Sequence, residues 1–173
     1  MKQTVRELKG DRIRAVDGVI GFIKDVRFDD RGWKVRYLEV DIGEWLPGRR
    51  VLIDTHYMAP DAMRDPNGTS VRVELTCDQV RNAPEAGAEA ARSAVEAIGY
   101  TVQARDGTLG EVQDFVVEDA GWAISEVVVD ARPWWPGGHV GLQPQSVERI
   151  DPASRTMYLR LAREGLGGKP APH

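Results

Sequence analysis

Hydrophobic and polar residues alternate along this chain over short stretches, which is the pattern of half-buried β-strands. In the stretch 33–42, Trp33, Val35 and Tyr37 share one face of the predicted strand, but from Leu38 onward the hydrophobic residues fall on the other face. The same change of phase recurs in the stretch 122–129. A flat strand keeps one phase, so the change predicts a β-bulge or a sharp coil that curls a short sheet into a barrel.

The whole pattern repeats at an offset of 89 residues. About a third of the residues in 10–53 recur at that offset without a gap. The recurring motifs are Asp17-Gly18 with Asp106-Gly107, Gly21 with Gly110, Asp25 with Asp114, Gly32-Trp33 with Gly121-Trp122, Val40-Asp41 with Val129-Asp130, and Trp45 with Trp134. We therefore predict a mainly all-β fold of two tandem, small, strongly bent β-barrels, each of about five or six strands.

Short helical caps and tight turns are predicted at matching places in the two copies. Thr4 with Glu7 and Ser93 with Glu96 both fit the capping box of a helix start. A hairpin follows, in which Asp-Gly favours a two-residue turn and the aspartate side chain serves that turn by a hydrogen bond. The residues predicted to be structural in this way are Asp17, Gly18, Gly21, Asp106, Gly107 and Gly110.

The copy boundaries are predicted from the repeat and from the residues between the two copies. We expect copy 1 at 1–83, a linker at 84–92, copy 2 at 93–166 and a loose tail at 167–173. The region 1–83 carries a net charge of +1 and 84–173 a net charge of −5, together the −4 of the chain. Because no large basic excess exists, we do not expect direct binding to nucleic acid.

Composition places the chain among folded soluble proteins, with 42% hydrophobic and 29% charged residues. No stretch is apolar for long enough to span a bilayer, and the first residues lack the apolar core of a secretion signal. Cys77 is the single cysteine, which excludes an internal disulfide and a cysteine-based zinc site. These features together predict a cytoplasmic location.

The repeated motifs resemble those of the PRC-barrel family. They are Asp-Gly-x-x-Gly-x-x-x-Asp, then Val-Asp, then Trp-x-Pro-Gly before a strand, in both copies. That family is named after the cytoplasmic domain of the photosynthetic reaction centre H subunit, and it includes a domain of a ribosome-maturation factor and many small stand-alone bacterial proteins. The resemblance implies a non-catalytic docking module that binds other proteins.

Several roles are compatible with this resemblance. The leading hypothesis is a non-enzymatic scaffold or adaptor for protein–protein interaction, in which the two copies raise avidity or pack as an intramolecular pseudo-dimer. A homodimer of the whole chain is the other arrangement that we consider. The alternatives in function are an accessory factor in RNA processing or ribosome assembly, and a membrane-peripheral subunit near an electron-transfer complex.

Candidate partner-binding residues cluster in the Trp-x-Pro-Gly loops and just after them. A tryptophan in an exposed loop either folds back over the barrel end or projects as a contact. In copy 1, Arg49 and Arg50 either form an ordinary solvated surface or, together with Lys34 and Arg36, a positive patch for an acidic partner, lipid head groups or the other copy. The full set of predicted contact residues is Trp45, Arg49, Arg50, Trp134, Trp135 and His139.

No catalytic centre, cofactor site or metal site is predicted. The serines lack a nucleophile elbow, and the glycines mark turns and do not form a phosphate loop. His56, His139 and His173 have no ligand spacing with one another or with Cys77. The sequence therefore favours a protein without enzymatic activity.

Overall fold

The computed structural model describes residues 2–59, 62–63, 70–86, 91–132 and 138–163. Within them the fold is all-β with three short helices, as the alternation of hydrophobic and polar residues predicted. By its contacts the chain divides into two compact units, Met1–Ala94 with Val117–Ala123 and Val95–Val116 with Ile124–His173. We call these unit 1 and unit 2. The division differs from the sequence repeat, since residues 93–94 and 117–123 belong to copy 2 by sequence but lie in unit 1.

Unit 1 is built on a long bent strand that pairs on both sides. Its strands are β1 (Lys2–Thr4), β2 (Arg12–Ala15), β3 (Gly18–Asp29), β4 (Lys34–Asp41), β5 (Arg50–Asp54), β6 (Ser70–Arg72) and β7 (Arg92–Ser93). The hydrogen-bonded order is β5-β4-β3-β2-β6, in which β2 and β6 are parallel and the other pairs are antiparallel. The short β7 pairs antiparallel with the end of β3.

Unit 2 has the same strand order, with one further strand beyond the parallel pair. Its strands are β8 (Thr101–Ala104), β9 (Gly107–Glu118), β10 (Ala123–Asp130), β11 (His139–Leu142), β12 (Val147–Asp151) and β13 (Thr156–Leu159); the ends of β9 and β10 that meet at the turn belong to unit 1. The order is β11-β10-β9-β8-β13-β12, and β8 and β13 form the parallel pair. A parallel pair beside a long hairpin is thus a shared feature of the two units.

The change of hydrophobic phase in β4 has the predicted cause. Arg27 of β3 is opposite Tyr37, whereas Phe28 is opposite Val35, so Arg36 is an extra residue in β4. Such a bulge turns the following side chains to the other face and increases the local twist. As a result, the buried positions before and after Arg36 both contribute to the core.

Two helix starts, including the one predicted at Thr4, have a capping box. In α1 (Val5–Leu8) the Thr4 hydroxyl accepts from the backbone N–H of Glu7, and the Glu7 carboxylate accepts from the N–H of Thr4. In α2 (Cys77–Arg81) Thr76 and Gln79 form the same box. The third helix, α3, covers Ala94–Ala97. Capping satisfies backbone donors that so short a helix leaves unpaired.

The Asp-Gly prediction for the first hairpin turn is wrong by one residue. Ala15 pairs with Gly18, so the two turn residues are Val16 and Asp17, and Gly18 begins β3. Copy 2 shows the same offset, with Ala104 paired to Gly107. The sequence pair suggested a turn, but the strand pairing places its glycine in the ladder.

Gly21 and Gly110 lie within β3 and β9 and not in the predicted turns, at points where another strand approaches their backbone closely. A Cβ on Gly21 would lie 2.5 Å from the carbonyl oxygen of Asp41, and the φ of Gly21 is +68°. A Cβ on Gly110 would overlap the carbonyl oxygen of Asp130. Glycine at these positions lets β3 and β9 bend against the strand that follows each of them.

Candidate functional site

The first predicted contact residue, Trp45, lies in the loop between β4 and β5 and is half-exposed. Its exposed fraction is 47%, and that of its neighbour Leu46 is 41%. The guanidinium carbon of Arg81, in α2, lies 5.1 Å from the centroid of the Trp45 ring. Trp45 therefore neither folds fully into the core nor projects freely, because a cation–π contact holds one face of the ring. We call the two half-exposed side chains of Trp45 and Leu46 the Trp45–Leu46 surface.

The equivalent residues of copy 2 are described only in part. Trp134 and Trp135 lie outside the described residues. His139 begins β11, where it is half-buried and opposite Asp130 of β10. The predicted contact roles of these three residues stay predictions.

The two consecutive arginines of copy 1 each contact an acidic side chain. An Nη atom of Arg49 lies 3.4 Å from the carboxylate of Glu85, and the other donates to the carbonyl of Ala83. Arg50 donates through Nη1 to Glu39 at 3.2 Å. Both charges are therefore partly balanced within unit 1.

The predicted positive patch of these arginines with Lys34 and Arg36 does not form. Arg50 pairs with Asp41 at the end of β4, whereas Lys34 and Arg36 lie at the start of that strand. An extended strand advances about 3.3 Å per residue, so the two groups are far apart. The positions of these residues along β4 and β5 therefore keep their charges apart, although the residue types alone suggested a patch.

A buried carboxylate, that of Glu39, lies at the centre of a charged network in unit 1. Glu39 is 4% exposed. Its Oε1 accepts from Nη2 of Arg27 at 2.7 Å and from Nε of the same residue at 3.3 Å, while its Oε2 accepts from Arg50. We call these three residues the Arg27–Glu39–Arg50 network. A buried charge requires such pairing, because the loss of its hydration is otherwise unfavourable by several kcal/mol.

Asp25 extends the network on the side of β7. Its Oδ1 accepts from the backbone N–H of Val26 at 2.7 Å, and its Oδ2 accepts from the hydroxyl of Ser93. Nε of Arg27 lies 3.8 Å from the same Oδ2. Asp25 and Glu39 are opposite each other in the β3–β4 pair, and both of their carboxylates contact Arg27.

A pocket opens beside this network. It has a volume of about 380 Å³, and its lining residues are Arg27, Glu39, Gly48, Arg50, Glu85 and Ala86. The segment at 84–86 follows the outer edge of β5, since Leu52 donates to Pro84, Ala86 donates to Arg50, and Val51 forms a bridge with Glu85. The pocket therefore has a charged floor from β3, β4 and β5 and a rim from the segment that follows α2.

Copy 2 has no counterpart of this network in its sequence. At the offset of 89 residues, Arg27 corresponds to Val116, Glu39 to Val128 and Arg50 to His139. A fold of the same strand order thus accepts two valines where unit 1 has a buried ion pair. Since apolar residues often replace a buried ion pair without loss of stability, the fold itself does not require the charges. Comparing the copies for charge at strand positions would have found Arg27 and Glu39 from the sequence.

The turn aspartates bind distant segments of the chain. The Asp17 carboxylate accepts from the backbone N–H of Cys77, at the start of α2, and this bond lowers the pKa of Asp17. Burial, followed by the hydrogen bond with Asp17, raises the pKa of the Cys77 thiol. Asp106 likewise accepts from the backbone N–H of Arg163. These aspartates connect the first hairpin of each copy to its last segment, which supports a structural role.

Within the described residues there is no cluster of three or more side chains suited to hold a metal ion. Among the described helices, none is long and apolar enough to cross a membrane. These two findings add no candidate site to the pocket and the Trp45–Leu46 surface.

Comparison with known proteins identifies the first copy. Residues 3–71 match the PRC-barrel domain. The chain thus contains a PRC-barrel domain over that range, and this agrees with the motifs Asp17-Gly18, Gly21 and Asp25. A search of curated proteins finds none that matches the chain.

Proposed function

We propose that this chain is a non-enzymatic scaffold or adaptor that binds another protein through unit 1. The PRC-barrel domain at 3–71 supports an interaction module. The observation that carries the proposal is the Trp45–Leu46 surface, where two large hydrophobic side chains are about half-exposed in a loop. Tryptophan is prominent among the residues that dominate binding energy at protein interfaces.

The contact with Arg81 favours Trp45 as the central contact of this surface. A ring already held by a cation loses less conformational freedom on binding than a mobile one. The exposed 47% of Trp45 can bury apolar area against a partner. Loss of such a residue commonly reduces affinity by about 2 kcal/mol or more, which is roughly 30-fold.

We further infer that both copies adopt the same strongly bent barrel and that the protein works in the cytoplasm. The equal strand orders of the two units support the first inference, and the single cysteine of the chain supports the second. Two linked copies offer either two binding modules or one pseudo-symmetric body. The differences between the copies favour unit 1 as the one that recognises the partner.

The test compares two aromatic side chains of nearly equal exposure. Trp45 is 47% exposed and Tyr57, beyond the other end of β5, is 46% exposed. Proteins from native cells are captured on the wild-type chain, on Trp45→Ala and on Tyr57→Ala, and each candidate partner is then purified for calorimetry. We expect a partner that binds wild type and Tyr57→Ala alike but binds Trp45→Ala at least about 30-fold more weakly. Equal affinity of all three proteins for every partner would refute the role of Trp45.

A further inference from the structure

We infer that the pocket beside Arg50 binds a single carboxylate of the partner, from an aspartate or glutamate side chain. This inference rests on the proposed function, since it names the chemistry that the adaptor recognises next to the Trp45–Leu46 surface.

Arg50 uses only part of its hydrogen-bonding capacity. Its side chain is 51% exposed and, in the described part of the chain, donates to Glu39 through Nη1. Nε and Nη2 make no hydrogen bond to those residues. These two atoms form the edge of a guanidinium that binds a carboxylate with two parallel hydrogen bonds. The open edge belongs to a side chain that lines a pocket of about 380 Å³.

The network behind Arg50 holds its guanidinium in place. Glu39 binds Nη1, and Glu39 is itself fixed by two hydrogen bonds from Arg27. A donor whose position is fixed before binding loses little freedom when the ligand arrives. The buried network therefore has a use that the apolar residues of copy 2 at these positions could not supply.

The rim of the pocket already accommodates a carboxylate. Glu85, which is largely exposed, lies 3.4 Å from an Nη atom of Arg49. This pair shows that a glutamate side chain can approach the arginines of this site from the solvent side. Because Arg49 is occupied in this way, Arg50 is the guanidinium left to receive an external carboxylate.

The charge of the site favours a carboxylate over a phosphate group. The three arginines Arg27, Arg49 and Arg50 face three carboxylates, those of Asp25, Glu39 and Glu85. The open edge of the Arg50 guanidinium can therefore pair with one further negative charge. A dianionic phosphate would meet the repulsion of Glu39 and Glu85, and the described residues that line the pocket offer no second open guanidinium edge.

The experiment uses the full chain labelled with ¹⁵N and tetraglutamate as the probe. Nuclear magnetic resonance follows the Nε–H signal of Arg50, which is assigned by its absence from the Arg50→Lys variant. Tetraglutamine controls for the peptide backbone, and inorganic phosphate controls for general anion binding. Arg36→Gln is the matched control variant, because Arg36 is an exposed arginine on β4 outside the pocket lining.

We expect tetraglutamate to shift the Arg50 signal saturably and tetraglutamine to leave it unchanged. Arg50→Gln and Arg50→Lys should each weaken tetraglutamate binding at least about tenfold, the latter because lysine lacks the paired donor edge. Arg36→Gln should bind as the wild type does. The half-exposed position of Arg50 lets its variants fold, which circular dichroism verifies.

Three results would overturn the inference. They are absence of saturable binding, equal affinity in Arg50→Gln, and tighter binding of phosphate than of tetraglutamate. The Trp45→Ala variant separates this failure from failure of the proposed function, because it should lose the partner but still bind tetraglutamate. A Trp45-dependent partner together with no tetraglutamate binding would refute the carboxylate site alone.

Discussion

Replacing Glu39 with valine, alone or together with Arg27→Val, tests whether the buried charges of unit 1 are dispensable to the fold. Valine is the residue that copy 2 has at both equivalent positions, Val116 and Val128. The single change leaves Arg27 without its main partner, whereas the double change removes the pair together. We therefore expect the single variant to be less stable than the double variant.

The structure gives the expected size of the effect. Removing one partner of a fully buried pair lowers stability by about 3–5 kcal/mol. In Glu39→Val, the Arg27 side chain is still 20% exposed to water and still has Asp25 at 3.8 Å, so the loss of stability is smaller than for a fully buried pair. Arg50 is half-exposed and returns to water at little cost. We therefore expect Glu39→Val to lower the free energy of unfolding by about 2–3 kcal/mol and the double variant by about 1 kcal/mol or less.

Urea unfolding at neutral pH, followed by circular dichroism, measures both values. Arg27→Val alone completes the double-mutant cycle, whose coupling energy should exceed about 2 kcal/mol, because this variant leaves the buried Glu39 carboxylate with the half-exposed Arg50 as its charge partner. The slope of the free energy against urea is compared among variants, because a change in slope would indicate that the two units unfold separately. Equal destabilisation by the single and double changes would refute the argument that valines can replace the network.

Three further outcomes follow from the turns and the helix start. Gly21→Ala should lower the free energy of unfolding by about 2–4 kcal/mol, because the new Cβ would meet the carbonyl of Asp41. Gly10→Ala is the control, because its Cβ would have open space, and it should lower the free energy of unfolding by only about 1 kcal/mol in the same urea assay. Since the folded pKa of Asp17 is lowered, its stabilising effect is present above its unfolded pKa and is lost as the pH falls. The stability difference between wild type and Asp17→Asn should therefore shrink below about pH 4, and a constant difference in urea midpoints would contradict this. Because Asp17 helps to raise the pKa of the Cys77 thiol, Asp17→Asn should speed its alkylation by iodoacetamide at neutral pH.

Local patterns in the sequence predicted much of the fold. The strands follow from alternation, the α1 cap follows from Thr4 and Glu7, and the bulge at Arg36 follows from the change of hydrophobic phase. Each of these features depends on residues that are close in the chain. Their physical causes, side-chain direction and backbone donors without partners, act over a few residues and can therefore be read from a sequence.

The errors and omissions concern the pairing between strands. The turn at Asp17 is displaced by one residue because strand register, not the Asp-Gly pair, decides which residues close the hairpin. The expected patch around Arg49 and Arg50 fails for the same reason, since Lys34 occupies the far end of the ladder. The charge difference between the copies marks Arg27 and Glu39 in the sequence, but it does not indicate a network, because the members come from three strands and only the register brings them together.

Comparison of the two copies distinguishes the residues that the fold requires from those that serve the pocket beside Arg50. The turn aspartates and the glycines at the close approach of two strands recur in both copies, and each has a backbone partner that explains it. The charges at positions 27, 39 and 50 have no such partner in the backbone and do not recur in copy 2. If the Arg27→Val, Glu39→Val chain is stable, it is a folded protein in which Arg50 has lost its hydrogen bond to Glu39. Binding of tetraglutamate to that chain should then be weaker than to the wild type although Arg50 and the net charge of the pocket lining are unchanged, which would show that the buried pair acts by positioning Arg50.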